Sequence, residues 1–420
     1  MRLSLLFLLC FLFLASISVS ASFGKARHVQ QASHAQQQQD EEDQQNPYYF
    51  PSHLFQTYYT NELGYIRVLP RFDRYNSLLS ELDNYRILDF QSIPETFFVP
   101  HHSNAHYLYI VLTGKAIFTV VTSGGRVSYS LGPADGLTVT AGSTVHVANI
   151  DSDEDLKVFQ VARTADYSPK ELQFFFPGGY QSPQSYYYGF SKLNLVSSFN
   201  ASYEEIQTTL LGQKKNQGVI VKTTQEQISQ LTQNATSGPF NLLNYLLPVS
   251  NENGKIWEVR PSELPQLRTA GVSSVGCAEL KPGSIILPHA NSENTVIYVV
   301  EGNGTFEMAS PESIAGQVES LTAEITVGDV YVIPSFHPVA LRASNNGYLR
   351  FVSVGIYDEN SLMNFLAGAN ENLLKQFDNV AKELTFSGSA EQVDALLEKQ
   401  TQSNIVSSLS HQQEREEKKD

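Results

Sequence analysis

The chain has 420 residues and a formal net charge of −15, with 28 Lys and Arg residues against 43 Asp and Glu residues. Nucleic-acid binding needs clustered basic residues, and the sequence has no run of more than two, so the composition argues against a nucleic-acid partner. Apolar residues make up 41% and aromatic residues 11%, which is typical of a folded globular protein rather than a disordered chain. The length predicts two domains with additional tails.

The amino-terminal segment predicts export from the cytosol. Arg2 precedes a largely apolar run at 3–15, and small residues follow up to Ala21. We interpret residues 1–21 as a secretory signal peptide that is cleaved near Ala21. The alternative is a membrane anchor, but the apolar run is shorter than the roughly 20 residues that a spanning helix needs. No later segment is long and apolar enough to predict a membrane span.

The rest of the chain divides into two tails and two larger units. Residues 22–45 are polar and rich in Gln, residues 406–420 form a polar tail, and both offer little apolar surface to bury. We expect both segments to be disordered. Between them we place an N-terminal unit at 46–215, a linker loop at 216–240 and a C-terminal unit at 241–405.

An internal repeat relates these two units. The segment 98–101 (Phe-Val-Pro-His) recurs at 286–289 (Ile-Leu-Pro-His), and the same shift relates Gly114 to Gly302. Both units consist of short runs rich in Val, Ile, Tyr, Phe and Thr, separated by turns such as 281–283 (Lys-Pro-Gly). Many short strands with Gly at the turns indicate a sandwich or barrel rather than βαβ units.

A helical segment is predicted after each unit, at 203–212 and at 361–402. Apolar residues of the second segment recur at helical spacing, which predicts one apolar stripe per helix. Short helices are marginal in water unless such a face is packed, so we expect the stripes to contact another subunit. The residues that carry this prediction are Leu362, Phe365, Leu366, Leu373, Leu374 and Phe377.

The chain has a duplicated strand unit that carries Pro-His, then Gly-Asp, then the segment 333–340 (Ile-Pro-Ser-Phe-His-Pro-Val-Ala). This combination resembles the bicupin seed globulins. Further segments, at 46–50 (Asn-Pro-Tyr-Tyr-Phe) and 364–368 (Asn-Phe-Leu-Ala-Gly), are most similar to those of the vicilins, the 7S globulins of seeds. The resemblance covers nearly all of residues 46–405.

This resemblance implies a mainly β protein of two cupin (jelly-roll) barrels, each with a short α-helical extension. It also implies a homotrimer that stores nutrients in the protein storage vacuole of the seed, which it reaches through the secretory pathway. The resemblance further implies that the protein is an allergen. It implies no enzymatic activity. Two alternatives remain open. One is a metal-dependent cupin oxidase or decarboxylase, and the other is a small-molecule-binding protein like the sucrose-associated vicilin-like proteins.

Three glycosylation sequons gain relevance from the predicted export, because N-linked glycans are added in the secretory pathway. They begin at Asn200, Asn234 and Asn303. Asn234 lies in a polar segment that we expect to be a loop, which makes it the best candidate. Asn303 follows Gly302 in what we expect to be a tight strand connection, where an unmodified turn is the simpler interpretation.

Metal-binding cupins hold a first-row metal with a His-x-His pair, a following Glu and a later His. The first unit keeps His101, but Ser103 and Leu108 stand at the next two ligand positions, and Ser143 or Val145 stands at the last one. Since alternation along a strand puts His102 on the face opposite His101, the remaining histidines do not replace the set. We expect no metal in the first unit.

The second unit keeps His289 and His337, whereas Asn291 and Val296 replace the other two ligands. Cys10 lies in the signal peptide, so Cys277 is the only thiol of the mature chain. If the turn at 281–283 closes a hairpin, Cys277 and His289 face each other. Some vicilins bind copper through one Cys and two His, so the resemblance implies a copper site at Cys277, His289 and His337. The alternative is a buried, inert thiol.

The sequence gives little support to nucleophilic catalysis. It contains neither a Gly-x-Ser-x-Gly elbow nor a Gly-rich phosphate loop. We therefore predict a storage globulin without catalytic residues.

Overall fold

We describe the protein from a computed structural model, in which residues 46–165, 170–176, 185–211, 218–245, 247, 249–310, 318–356 and 362–408 are described. The predicted signal peptide at 1–21, the Gln-rich arm at 22–45 and residues 409–420 of the predicted tail lie outside these ranges. Counts of strands and helices below refer to the described residues only.

The described residues form twenty-six strands, which hold just under half of those residues. In chain order they are β1 (Tyr49–Phe50), β2 (Gln56–Asn61), β3 (Gly64–Val68), β4 (Tyr85–Ser92), β5 (Thr96–Ser103), β6 (Ala105–Thr113), β7 (Ala116–Thr122), β8 (Gly125–Leu131), β9 (Asp135–Val139), β10 (Thr144–Asn149), β11 (Leu156–Thr164), β12 (Gln173–Phe175), β13 (Ile220–Lys222), β14 (Thr236–Ser237), β15 (Phe240–Asn241), β16 (Val249–Asn251), β17 (Gly254–Val259), β18 (Val272–Leu280), β19 (Ser284–Asn291), β20 (Asn294–Ser310), β21 (Glu319–Thr326), β22 (Val330–Ile333), β23 (Val339–Ala343), β24 (Leu349–Ile356), β25 (Met363–Phe365) and β26 (Ile405–Ser407).

The helices of the described chain are short. The α-helices are α1 (Phe72–Tyr75), α2 (Lys192–Phe199), α3 (Tyr203–Ile206), α4 (Gln225–Thr232), α5 (Leu267–Ala270), α6 (Asn379–Thr385) and α7 (Ala390–Leu397). A π-turn at Gln207–Leu211 continues α3, and 3₁₀ turns lie at Ser52–Leu54, Ser77–Leu82, Tyr186–Gly189, Leu242–Asn244 and Leu373–Gln376.

Two sheets pack face to face in the first unit. One has the strand order β15-β9-β6-β11-β4-β3-β2, and the other has the order β12-β5-β10-β7-β8-β14. Apolar side chains of both sheets share one core, in which Leu88 and Val111 from the first sheet are clustered with Phe98 and Phe118 from the second. Burying this surface is the main source of stability for such a unit.

The second unit closes around one long strand. The 17-residue β20 pairs with β22 and β24 through its first half and with β21 and β23 through its second half. The sheet therefore curls, because one strand belongs to both of its sides. This arrangement confirms the predicted mainly β architecture with two barrel-like units.

Glycine occupies equivalent positions where each unit bends between its two sides. Gly114 has φ of 75° and Gly302 has φ of 81°, a region that other residues rarely adopt. A Cβ atom on Gly302 would lie 1.7 Å from the carbonyl oxygen of Tyr348, and one on Gly114 would lie 2.9 Å from that of Asp155. These close approaches explain why the repeat preserves glycine.

The two units contact each other through side chains of β4, β11 and β20. The ring centroids of Phe159 and Tyr298 are 4.9 Å apart. The Tyr85 hydroxyl donates a hydrogen bond of 2.6 Å to the carbonyl oxygen of Gly271. Hydrogen-bonded aromatic packing of this kind fixes the orientation of one barrel on the other.

The predicted helix over 361–402 is only partly correct. The structure has α6 and α7 there, but Met363–Phe365 forms strand β25, which pairs antiparallel with β19. Phe365 enters the core with its ring 5.4 Å from that of His289, so the spacing of Leu362, Phe365 and Leu366 reflects a strand end rather than a helical stripe.

Two segments that were predicted to be irregular, a linker loop and a disordered tail, contain regular structure. The described part of the expected linker loop at 216–240 holds β13, α4 and β14, which attach to the first unit through β5 and β8. The expected disordered tail at 406–420 begins inside β26, where Ile405 and Val406 are buried against β19. These strands are only two or three residues long and lie in polar segments, so they leave no periodic pattern in the sequence.

Candidate functional site

Two buried histidines lie at the end of the second barrel. His289 on β19 is paired with Val339 on β23, and His337 lies two residues before Val339. Nδ1 of His289 is 2.9 Å from the carbonyl oxygen of Leu287, and Nδ1 of His337 is 3.2 Å from that of Ser335. A carbonyl can only accept, so each Nδ1 donates the hydrogen of this hydrogen bond.

Asn291 stands where the metal cupins have their second histidine. Its backbone carbonyl oxygen accepts a hydrogen bond of 2.6 Å from the backbone nitrogen of Phe336, and its side-chain Nδ2 donates to Thr295 Oγ1 at 3.4 Å. Burial lowers the pKa of His289, so its imidazole is neutral at physiological pH. The residue at the position of the metal-binding Glu is Val296, which is fully buried and apolar.

The structure does not place Cys277 with these histidines, and the predicted hairpin between β18 and β19 is wrong. Cys277 is paired with Trp257 on β17 and with Val352 on β24. The turn at 281–283 leads from one side of the barrel to the other, because the nitrogen of Gly283 donates to Ser344 before β24. Among the described residues, no three His, Cys, Asp or Glu side chains are grouped so that they could hold a metal.

The set Cys277, His289 and His337 therefore does not fit a three-ligand copper site. Copper and zinc need ligands that converge on one point, and a thiol on the opposite side of the barrel from the imidazoles cannot supply one. Burial, with a smaller contribution from Glu279, raises the pKa of Cys277 to about 12, so the thiol is protonated at neutral pH.

The first barrel carries its own polar cluster around His101. Burial lowers the pKa of His101 to about 4, and its ring lies 4.3 Å from that of Phe98. Ser103, which stands at the second ligand position, donates from Oγ to Glu171 Oε1 at 3.2 Å, and the Tyr107 hydroxyl donates to the same oxygen. Glu171 is not among the site residues predicted from the sequence, because it lies far from Ser103 along the chain. The pairing of β12 with β5 brings it to the barrel.

The remaining histidines of the first unit are not grouped with His101. His102 lies on the outer face, with its ring 5.1 Å from that of Phe174, as the predicted alternation requires. His106 Nδ1 accepts from the nitrogen of Ala141, and His146 packs against Phe97. Leu108 and Val145, at two of the other ligand positions, are buried, and Ser143 is partly buried.

All three sequon asparagines are exposed. Asn200 ends α2 with φ of 49°, and Asn234 lies between the capped helix α4 and β14. Asn303 does not lie in a tight connection, because β20 continues through it and pairs it with Thr326 on β21. The exposure makes each side chain accessible to a modifying enzyme.

The helical extensions expose large apolar side chains. Leu193 on α2 is 73% exposed, and Leu384 on α6 is 83% exposed. Of the residues in the predicted contact stripe, Leu362 is 64% exposed whereas Phe365 is only 2% exposed. Phe365 therefore cannot belong to a subunit contact, which is a correction of the predicted set.

Within the described residues, no helix has both the length and the apolar character needed to cross a membrane.

The chain shows extensive similarity to known proteins. The model of the cupin family matches residues 240–392. Vicilin of Pisum sativum is 38% identical over 88% of this chain and 90% of its own length, and conglutin beta 1 of Lupinus albus is 38% identical over 89% of this chain and 77% of its own length.

Solved structures agree with these sequence relatives. The crystal structure of vicilin from Solanum melongena superimposes with a TM-score of 0.83 at 32% identity, covering 87% of this chain and 98% of that one. Vicilin from Corylus avellana gives a TM-score of 0.82 at 31% identity, covering 86% and 99%. The shared fold, the retained Pro-His repeat and the identity over most of both chains lead to one conclusion: this chain belongs to the vicilin-type (7S) seed storage globulins, within the cupin family.

Proposed function

We propose that this protein is a nutrient reservoir of the seed that assembles as a homotrimer and is not an enzyme. Its relationship to vicilins over most of its length carries the proposal. The substitutions at the metal-ligand positions support it, because Leu108 and Val296 have no lone pair to offer. The protein storage vacuole, reached through the secretory pathway after removal of residues 1–21, is the proposed location.

The exposed apolar residues of the helical extensions support the trimer. Leu193 on α2 and Leu384 on α6 extend from different barrels of the same chain. Exposed apolar clusters of this kind mark subunit contacts, and a head-to-tail ring would bring the extension of one subunit onto its neighbour. Each chain supplies one extension to each of its two neighbours in such a ring.

Sedimentation of the mature protein tests the assembly. The unmodified chain should sediment as a trimer, and the double variant Leu193→Glu/Leu384→Glu should release monomers because two charges would be buried in each contact. The matched control is Val127→Glu, which changes an exposed Val on β8 outside the extensions and should stay trimeric. A stable monomer of the unmodified chain would contradict the proposal.

Protein abundance tests the storage role. A reservoir should be a major component of the mature seed and should be degraded during germination. Turnover of oxalate or a related small acid that depends on His289 or His337 would instead favour the cupin enzyme, and a scarce protein that persists through germination would favour a binding role.

Copper is a separate proposal. We propose that any copper bound by the second barrel is held by the imidazoles of His289 and His337, without Cys277. Metal analysis should then find equal copper in the unmodified protein and in Cys277→Ser, and less in His289→Ala. Loss of copper from Cys277→Ser would restore the three-ligand set.

Glycosylation completes the proposal. We propose that the protein carries glycans on Asn234 and Asn200, which lie at helix ends, rather than on Asn303, which is paired within β20. Mass spectrometry of the seed protein after glycosidase treatment would identify the modified residues, and modification of Asn303 alone would contradict this order.

A further inference from the structure

A cavity of about 280 Å³ lies between the two barrels. Its wall on the first barrel comes from β6, including Ile110 and Leu112. Leu243, in the 3₁₀ turn at Leu242–Asn244, also lines the cavity. The wall on the second barrel comes from β17, β18, β20 and β24. It is distinct from the histidine cluster of the second barrel, since none of those histidines lines it.

The interior of the cavity is apolar and includes one aromatic platform. Trp257, Val300 and Phe351 supply much of the second wall, and Cys277 lies beside Trp257 as its partner across the two strands. The thiol is protonated at neutral pH, as described above, so it adds no charge. Small-molecule sites typically combine such apolar lining with few polar groups.

The polar groups of the rim already have partners. Arg350 Nε lies 2.9 Å from Glu279 Oε2, and Arg350 Nη1 lies 2.6 Å from Glu301 Oε2. Two carboxylates around one guanidinium leave a net negative charge at this point of the rim. An anionic ligand would therefore meet repulsion at this point of the rim. Lys255 Nζ lies 5.9 Å from the centroid of the Trp257 ring, so this amine already contacts the aromatic platform.

We propose that this cavity binds a small, uncharged aromatic molecule, packed against Trp257 and Phe351 between the two barrels. The volume accommodates a ligand of one or two rings, at the lower end of the range for small-molecule sites. Binding would remove apolar wall surface from water, which supplies the affinity. The role is additional to storage and does not depend on it.

The chain provides its own reporter, because Trp257 is its only tryptophan. The probe is 4-nitrobenzyl alcohol, whose nitroaromatic ring quenches tryptophan fluorescence at close range. The matched probe is 4-nitrobenzoate, which has the same ring with a negative charge. We expect saturable quenching by the alcohol, agreement with equilibrium dialysis, and at least about tenfold weaker binding of the benzoate.

Variants locate the bound probe. Val300→Phe fills the cavity from a half-buried position on β20 and should weaken binding of the alcohol by at least about tenfold. The matched control, Val127→Phe, makes the same change at an exposed position on β8 and should bind like the unmodified protein. Circular dichroism establishes that both variants are folded.

If Val300→Phe does not fold, Leu243→Arg replaces it, because Leu243 is 50% exposed at the mouth and its change leaves the core intact. The proposal is overturned if quenching of the unmodified protein does not saturate. It is equally overturned if the benzoate binds as tightly as the alcohol, or if a folded cavity variant binds the alcohol unchanged.

Discussion

Glu293 is a carboxylate in the core of the second barrel. It accepts hydrogen bonds from Ser273 Oγ at 2.8 Å and from Ser274 Oγ at 2.7 Å. A Cβ atom at Gly355 would lie 2.1 Å from Glu293 Oε2, so the glycine provides the space that the carboxylate occupies. Burial raises the pKa of Glu293 above its ordinary value of 4.5, more than the two serines lower it.

This raised pKa predicts a pH dependence of stability. The folded state favours the protonated carboxyl, so its contribution is fully present below about pH 4.5 and is lost as the pH rises through the folded-state pKa. The free energy of unfolding of the unmodified protein relative to Glu293→Gln should therefore fall as the pH rises from 4 to 7. Urea unfolding at several pH values measures this difference.

The matched control for this prediction is Glu307→Gln, at an exposed position on β20. Its stability relative to the unmodified protein should change little over the same pH range. A difference for Glu293→Gln that grows with pH would mean that the carboxylate is stabilised when ionised.

The sequence predicted the face on which a side chain lies only where the alternation along one strand determines it. The alternation of His101 and His102 across β5 follows from strand geometry and was predicted correctly. The position of Cys277 was not predictable, because it depends on which strands pair rather than on the pattern along one strand. Glu171 was missed for the same reason, since it reaches Ser103 only through a long-range strand pairing.

At the scale of elements, the bend of β20 at Gly302 is the most constrained feature. Gly302→Ala should destabilise the protein by roughly 1–3 kcal/mol, because the new Cβ would meet the Tyr348 carbonyl in a backbone conformation that alanine rarely adopts. Urea denaturation of the purified protein measures the change. Gly124→Ala is the control, because its Cβ would meet only the Thr122 side chain at 3.6 Å; equal losses in both variants would contradict the role of the bend.

Strand composition predicted the class of the fold, whereas strand order was beyond the sequence. The turn at 281–283 has the residues of a hairpin, yet β18 pairs with β17 and β24 while β19 pairs with β23, β25 and β26. In a jelly roll, consecutive strands often lie in opposite sheets, so a short turn does not by itself imply a direct pair. The helix predicted from the spacing at 361–402 was wrong at Met363–Phe365, because two or three apolar residues fit a strand end equally well.

The whole molecule depends on the contact between its barrels. We predict that both barrels unfold in a single calorimetric transition, and that Phe159→Ala, which costs roughly 3–5 kcal/mol as a buried large-to-small change, separates it into two. Val158→Ala is the matched control, because it shortens a neighbouring core side chain of the first barrel. That variant should lower the midpoint of a transition that stays single, and two transitions in the unmodified protein would contradict the prediction.

The pairing of β26 with β19 limits how far the chain can be shortened from its carboxyl end. Ile405 is fully buried, and Asn251 Nδ2 donates to its carbonyl oxygen at 2.7 Å. A truncation after Ser408 keeps this strand and its partners. A truncation after Asn404 would remove β26, leave an unpaired edge on β19 open to other chains, and empty a part of the core. Proteolysis from the carboxyl end that removes β26 would therefore convert a compact storage protein into an aggregation-prone or readily degraded chain.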